Sequence, residues 1–186
     1  EMIGPSDLTL MKTLYQAGPE HRKYLRQIFV SMDITAPLYF YKEFSTYKVG
    51  TVANSTSTMH KLASTPITKD CFEMGDFEQV TFTRDSAGID IKLSTQNVWN
   101  GIISDLEALR QKYLETKDKR YWKELIRLLP ESWLQKRTVT MNYENILNMV
   151  HQRRNHKLTE WSKSFIDWAK TLPYADDLIF IGGVDG

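Results

Sequence analysis

Residues 96–114 carry the longest helical pattern in the chain, and a helix there limits how the remaining segments can fold. Apolar side chains recur in this segment at steps of three, four and one, and they are Val98, Trp99, Ile102, Ile103, Leu106, Leu109 and Tyr113. This spacing predicts an amphipathic helix whose apolar face must pack on a core. A second helix is predicted over residues 119–129, because Pro130 follows and cannot continue it.

Alternation of apolar and polar residues predicts strands elsewhere. The segments concerned are residues 27–35, residues 79–93 with a turn at Asp85–Gly88, and residues 137–142. Further helices are predicted over residues 5–17, from Pro37 to Phe44, over residues 143–154 and over residues 158–171, while residues 179–186 are either a closing strand or a tail. Ser6 or Asp7 is the expected N-cap of the helix over residues 5–17, and Asn142 is the expected N-cap of the helix over residues 143–154.

These elements predict an α+β fold, in which a small and mostly antiparallel sheet packs with several helices. The length of 186 residues suits a single domain over residues 1–186. Because the chain begins at Glu1 rather than Met, we allow for an upstream segment that carries function.

The charge balance excludes a global electrostatic field. Lys and Arg number 24 and Asp and Glu 23, so the net charge of +1 does not favour nucleic acid or an anionic membrane as a partner. No apolar run reaches the roughly 18 residues that span a bilayer. The single cysteine, Cys71, excludes an internal disulfide and a Cys-rich metal cluster. We expect a cytoplasmic protein without a metal.

A hydroxyl-rich segment follows the aromatic run at residues 37–44. Residues 45–58 contain seven Ser or Thr residues, and His60 and Lys61 come directly after them. Hydroxyls, amides and turn-forming backbone can surround a polar ligand such as a phosphate. The same composition also describes a solvated connection, so both interpretations stay open.

A basic cluster lies at residues 151–157, "HQRRNHK", where one predicted helix ends and the next begins. An Arg guanidinium presents a planar fork of donors that matches a phosphate or the edge of a pyrimidine. The alternative is a solvated helix end whose positive charges complement the helix dipole. "QKR" at residues 135–137 is a weaker candidate of the same kind. The spacings of the four histidines do not predict a zinc site, and the common catalytic motifs are absent from the sequence.

Two segments together resemble the flavin-dependent thymidylate synthases, which methylate deoxyuridylate with FAD and a folate methylene donor. They are "RQIFVSMDITAPLYFYKEFSTYKVGTVANSTST", residues 26–58, and "LPESWLQKRTVTMNYENILNMVHQRRNHKLTEW", residues 129–161. The first resembles the family's strand, Arg-Gln helix and signature R-H-R-x-x-S-x-N-E-x-S-x-R. The second resembles its Leu-Pro, short strand, Asn-initiated helix and terminal Arg. The resemblance implies a fold of the thymidylate-synthase-complementing-protein type.

The signature itself is degraded. Laid without gaps, Lys42 and Glu43 stand where the family has Arg-Gln, and residues 46–48 stand where it has Arg-His-Arg, so that only Lys48 keeps the charge. Thr51 and Thr56 keep hydroxyls at the two signature serines. Ala53 and Asn54 replace Asn-Glu, and Thr58 replaces the last Arg. Losing three or four cations weakens binding of the standard ligands by several powers of ten, because charge-assisted hydrogen bonds contribute about 1.5 to 3 kcal/mol each.

By this resemblance the candidate nucleotide-binding residues are Lys48, Thr51, Asn54, Ser55, Thr56, Ser57, His60, Lys61, Arg153 and Arg154. Arg153 matches the late arginine that polarises the uracil in the family, although Arg154 fits after a one-residue shift, and Arg153 is the candidate catalytic residue. The candidate residues for FAD are Gln27, Tyr47 and Lys48, where Gln27 replaces a histidine beside the flavin ring. The family's active sites form between the subunits of a tetramer, so the resemblance also implies a homotetramer.

Three hypotheses follow. The first is a nucleotide-binding protein that recognises or sequesters a nucleotide or a nucleotide-derived signal and has lost the standard catalysis, as would suit a bacteriophage. The second is an active FAD-dependent one-carbon transferase that acts on dUMP or a related pyrimidine nucleotide. The third is a protein-interaction or structural module without a small ligand. The sequence alone leaves open whether the chain is an enzyme.

Overall fold

The computed structural model describes residues 3–75 and 79–181. The helices are α1 (Pro5–Gln16), α2 (Leu38–Phe44), α3 (Thr58–Ser64), α4 (Thr95–Thr116), α5 (Lys119–Leu128), α6 (Tyr143–Arg153), α7 (Ile166–Lys170) and α8 (Ala175–Leu178). The strands are β1 (Phe29–Pro37), β2 (Val52–Ser55), β3 (Thr81–Ser86), β4 (Ile89–Ser94) and β5 (Leu134–Asn142). A π-helical turn, Glu160–Phe165, leads into α7. This mixture of helices and small sheets confirms the predicted α+β class.

The strands form two sheets. In the three-stranded sheet the order is β1-β5-β2, so β5 is central. Ser31 Oγ lies 2.9 Å from Thr140 Oγ1, and Thr138 Oγ1 donates to Asp33 Oδ1 over 2.6 Å. These two pairs show that β1 and β5 run antiparallel, since residue numbers rise along one strand as they fall along the other.

The second sheet is the hairpin that the alternating pattern of residues 79–93 predicts. Thr81 pairs with Ser94 and Ser86 with Ile89, and the turn between the strands has positive φ at Ala87 and Gly88. One face of this ribbon carries apolar side chains, because Phe82 lies opposite Leu93. Every residue of β3 is exposed to solvent.

The chain divides into two compact units that are interleaved along the sequence. The described residues of the first unit are 3–34, 42–54 and 137–181, and those of the second are 35–41 and 55–136. The chain therefore passes from one unit to the other within β1, α2, β2 and β5. The single domain expected from the chain length stays a prediction.

The core of the second unit forms around α4 and α5. Its buried side chains are Leu62, Ile67, Phe72, Leu106, Leu125 and Trp133. The predicted helix at residues 96–114 is thus confirmed, and its periodic apolar residues include Leu106 at the centre of this core. Arg110 of the same helix forms an ion pair with Glu107 and also donates to the carbonyl of Ala63, which joins α4 to α3.

The core of the first unit forms around α6. Val139 and Met141 of β5 are buried, as are Ile146, Leu147, Met149 and Val150 of α6 and Trp161 and Phe165 of the π-helical turn. Asn142 caps α6 as predicted, since its Oδ1 accepts from Asn145 N over 3.0 Å and Asn145 Oδ1 accepts from Asn142 N over 3.1 Å. This reciprocal pair fixes the point where β5 turns into α6.

Several boundaries differ from the sequence predictions. Pro37 ends β1 instead of opening α2. Gly4, rather than Ser6 or Asp7, is the N-cap of α1, and Asp7 Oδ2 accepts from its backbone N–H over 3.2 Å. The predicted loop at residues 45–61 contains β2 and the start of α3. Leu178 ends α8, so Ile179 and Phe180 do not form a closing strand, and residues 182–186 lie outside the described residues.

Candidate functional site

The segment after α2 folds as a series of turns in the first unit. Thr46 N donates to Glu43 O over 3.0 Å, and Tyr47 N donates to Phe44 O over 3.1 Å, so the chain turns back at once. Gly50 has a φ of +75°, a conformation that glycine adopts without strain. Asn145 Nδ2 donates to Val49 O over 2.6 Å, and this bond attaches the segment to the start of α6.

These turns border a cavity of about 180 Å³. Its lining residues are Phe44, Ser45, Tyr47, Lys48, Thr51, Ala53 and Arg137. Lys48 and Arg137 bring two positive charges to the cavity. Thr51 Oγ1 is buried and has no hydrogen-bond partner within the described part of the chain. A buried hydroxyl without a partner costs roughly 1 to 3 kcal/mol, so a ligand that bonds to Thr51 would remove that cost.

Tyr47, one wall of the cavity, is held in place by α6. Its hydroxyl donates to Gln152 Oε1 over 2.9 Å and accepts from Arg153 Nε over 2.9 Å. The Arg153 guanidinium carbon lies 5.7 Å from the centre of the Tyr47 ring and 5.4 Å from that of Trp161. Because both aromatic rings and the hydroxyl contact the same guanidinium, Arg153 and Tyr47 fix each other's orientation.

Glu43 is the counter-ion of Arg153. Glu43 Oε2 lies 2.8 Å from Arg153 Nη1 and 3.2 Å from His156 Nε2. The side chains of these three residues are 32%, 21% and 22% exposed, so the pair is largely shielded from water. His156 Nδ1 accepts from Leu158 N over 3.1 Å, which places the ring proton of a neutral imidazole on Nε2, facing Glu43.

The basic cluster carries fewer charges than its composition indicates. Burial lowers the pKa of His151, and the positive charges of Arg154 and Arg22 lower this pKa further, so the ring is neutral at pH 7. Arg154 forms the C-cap of α6 and is half-buried. Three cations of residues 151–157 do not depend on a histidine, and they are Arg153, Arg154 and Lys157.

The second unit contains the rest of the hydroxyl-rich segment. Thr56 donates to Lys136 O through both its backbone N–H and its hydroxyl, over 3.0 Å in each case. Ser57 caps α3, and its hydroxyl lies 2.9 Å from His60 Nδ1. His60 and Lys61 are exposed on α3. These hydroxyls thus have partners in their own unit.

Of the candidate residues, Tyr47, Lys48 and Thr51 come together at the cavity, and Arg153 contacts Tyr47 behind it. Asn54 and Ser55 lie on β2 and are exposed. Gln27 ends a short 3-10 turn, is exposed, and is not one of the residues that line the cavity. Sequence reasoning missed Glu43 as the partner of Arg153, although an acid at a position where the family has glutamine was a usable signal. It gave little weight to Arg137, which the "QKR" triplet contains.

The described residues contain no group of three His, Cys, Asp or Glu side chains that could hold a metal ion. A search of the same residues finds no helix with the length and apolarity that crossing a membrane requires.

Comparisons with known proteins give matches by structure alone. No protein-family profile matches the sequence, and no curated protein matches it. The fold is similar to that of flavin-dependent thymidylate synthase ThyX from Helicobacter pylori complexed with FAD and dUMP. The TM-score is 0.68 at 16% identity, over 94% of this chain and 83% of the other.

It is also similar to a UMP/dUMP methylase, PolB, from Streptomyces cacaoi bound with 5-Br UMP. Here the TM-score is 0.58 at 15% identity, over 95% of this chain and 83% of the other. Both similarities extend over nearly the whole chain, which confirms at the level of fold what the two segments predict from sequence. The chain therefore has the fold of the flavin-dependent thymidylate synthases.

Proposed function

We propose that the chain binds a nucleotide, or a signal derived from one, in the cavity beside Tyr47, and that the standard thymidylate synthase catalysis has been lost. The observation that carries this proposal is the cavity itself, where Lys48, Arg137 and the unpartnered hydroxyl of Thr51 converge. Two cations and a donor hydroxyl are the groups that a phosphate needs. The solved structures of similar fold hold dUMP and 5-Br UMP, which supports a nucleotide as the guest.

The remaining candidate groups suit the rest of such a ligand. The Tyr47 ring lines the cavity, and behind it the Arg153 guanidinium has donors that match a pyrimidine carbonyl. Arg153 is engaged by Glu43, so contact with a ligand requires an exchange of partners. We assign Lys48, Arg137 and Thr51 to the phosphate and Arg153 to the base.

The described cavity does not match the dimensions of FAD. Ligand sites for drug-sized molecules enclose roughly 300 to 1,000 Å³, whereas this cavity encloses about 180 Å³. Gln27 does not line it, and both hydrogen bonds of the Tyr47 hydroxyl are made within the protein. The residues that line this cavity therefore do not enclose FAD by themselves. Together with the loss of the signature cations, this mismatch supports a function in binding rather than catalysis.

Calorimetry with UMP and dUMP tests the proposal. We expect wild-type protein to bind at least one of them, and Lys48→Ala and Arg137→Ala each to weaken binding about tenfold or more, since each removes a charge-assisted bond. Lys170→Ala is the matched control, because Lys170 is an exposed cation of the same unit that pairs with Asp167. Absence of binding at millimolar nucleotide, or equal losses in all three variants, would refute the assignment.

A second measurement uses stability. A ligand at 100 times its dissociation constant stabilises the folded state by about 2.7 kcal/mol, so a nucleotide that binds raises Tm. We expect Arg153→Ala to abolish the rise in Tm while leaving the fold intact. An unchanged rise would remove Arg153 from the site.

The second candidate function is an active FAD-dependent one-carbon transferase that acts on a pyrimidine nucleotide. The similar fold of a thymidylate synthase complexed with FAD and of a UMP/dUMP methylase favours it. A flavin absorption band in the purified protein would support this candidate. A colourless protein whose Tm does not rise with FAD would exclude it in favour of nucleotide binding alone.

We also propose a homotetramer, which the family resemblance implies, and a cytoplasmic protein of phage origin. Size-exclusion chromatography with light scattering measures the first of them. If neither nucleotide nor flavin raises Tm, an interaction module without a small ligand becomes the better description.

A further inference from the structure

Glu43 forms an ion pair with the guanidinium of Arg153, which the proposed function assigns to the base of the ligand. Glu43 Oε2 is 2.8 Å from Arg153 Nη1, and the same oxygen lies 3.2 Å from His156 Nε2. Arg153 Nε is already bonded to the Tyr47 hydroxyl. The carboxylate lies close to both the Arg153 guanidinium and the His156 ring and is largely shielded from water, so it holds Arg153 in place in the absence of a guest.

We propose that the Glu43 carboxylate competes with incoming ligands for the Arg153 guanidinium and thereby sets the affinity and charge preference of the site. The proposal rests on the nucleotide-binding function above. It predicts that a ligand gains the Arg153 contact only by displacing Glu43, and that the displaced carboxylate then repels any anionic part of the guest.

The position of Glu43 makes this competition effective at the cavity. Glu43 directly precedes Phe44, which lines the cavity, and Tyr47 lies between the cavity and Arg153. Lys48 and Arg137 bring two positive charges to the cavity lining. The positive charge of Arg153 is neutralised by Glu43, so this pair adds no net charge. Removal of the Glu43 charge would therefore add the positive charge of Arg153 to those of Lys48 and Arg137.

Glu43→Gln is the variant that separates charge from shape. Glutamine has the same length and keeps an oxygen that can accept from Arg153 or His156, so the shape of the side chain is retained. The variant loses only the negative charge. A thermal unfolding curve checks that its fold is intact.

The matched control is Glu144→Gln. Glu144 belongs to the same unit and pairs with Arg26, the two atoms being 2.6 Å apart, but it does not line the cavity. Both substitutions change the net charge by the same amount. A difference between them therefore reports the local competition and not the overall field.

Calorimetry with UMP compares wild type, Glu43→Gln, Glu144→Gln and the double variant Glu43→Gln/Arg153→Met. We expect Glu43→Gln to bind about tenfold more tightly than wild type, Glu144→Gln to change the affinity less than about twofold, and the double variant to lose the gain. If wild type binds UMP and Glu43→Gln binds no more tightly, the competition is refuted while nucleotide binding stands. If neither wild type nor Glu43→Gln binds UMP, both proposals fail.

A measurement on the wild-type protein is independent of how well any variant folds. The ¹H–¹⁵Nε resonance of Arg153 reports the partners of its guanidinium. We expect this resonance to shift on titration with UMP as Glu43 is displaced. A resonance that stays unchanged at saturating UMP would overturn the proposal.

Discussion

Substitution of Glu107 by Gln tests the main buried ion pair of the second unit. The Glu107 carboxylate accepts from Arg110 Nε over 2.8 Å, from Arg110 Nη2 over 2.6 Å, from Gln111 Nε2 over 2.7 Å and from Ile67 N over 2.8 Å. Arg110 is only 6% exposed at its side chain. Glu107→Gln keeps the shape of the side chain but leaves this guanidinium without a counter-ion, which is the costly way to break such a pair.

The structure gives the size of the effect. The hydrogen bonds from Arg110 are the main reason that the pKa of Glu107 falls from 4.5 to about 2. This fall of about 2.5 in pKa limits the contribution of the Glu107 charge to the free energy of unfolding to about 3.4 kcal/mol. Because the Glu107 side chain is 27% exposed, solvent screens part of this interaction. We expect Glu107→Gln to lower the free energy of unfolding by about 2 to 3 kcal/mol at pH 7.

The same pKa fixes the pH dependence. The folded-state pKa of Glu107 lies below its unfolded value, so its contribution is present above pH 4.5 and is lost as the pH falls towards about 2. The difference between wild type and Glu107→Gln should therefore shrink over that range. Urea unfolding followed by tryptophan fluorescence at pH 7, 4.5 and 3 measures this difference in the free energy of unfolding.

The control for this prediction lies on the same helix. Glu115 pairs with Lys112 at 3.3 Å, but the two side chains are 64% and 51% exposed. Glu115→Gln should change the free energy of unfolding by less than about 0.5 kcal/mol. The reasoning is wrong if Glu107→Gln is no more destabilising than Glu115→Gln at pH 7, or if its effect does not diminish between pH 7 and pH 3.

Three further predictions concern the packing of both units. Gly50→Ala should destabilise the protein by about 1 to 3 kcal/mol, because φ is +75° and a Cβ would lie 2.7 Å from Asn142 Nδ2; an unchanged Tm would contradict this. Asn142→Ala should cost about 1 to 2 kcal/mol through loss of the α6 cap, and a denaturant midpoint equal to wild type would exclude that role. Leu106→Ala should cost about 2 to 5 kcal/mol in urea unfolding, whereas Leu128→Ala, at a position 55% exposed, should cost little; similar losses would argue against the assigned core.

The spacing of apolar side chains predicted two of the elements. The helix at residues 96–114 and the hairpin at residues 79–93 follow directly from the spacing of their apolar side chains. β2 has no such signal, because its four residues, Val-Ala-Asn-Ser, do not alternate between apolar and polar side chains. α3 is short and buries Leu62 alone, so its apolar pattern is equally faint.

The candidate site was predictable only in part, because its contacts connect distant parts of the chain. The resemblance to the family pointed to Lys48, Thr51 and Arg153, and the basic cluster also contains Arg153. No local pattern indicates that Glu43 and Arg153, which are 110 positions apart, form an ion pair. Burial of the Thr51 hydroxyl likewise depends on tertiary packing and not on neighbouring residues.

The interleaving of the two units affects the order in which a nascent chain can fold. Residues 55–136 form most of the second unit as one continuous stretch, so this unit has most of its contacts available before synthesis ends. The first unit cannot assemble until β5 and α6 emerge, since its early segments pack on residues after 136. Ribosome-bound chains that stop near residue 136 would thus present the Tyr47 segment without its supporting helix, and protease should cut there first.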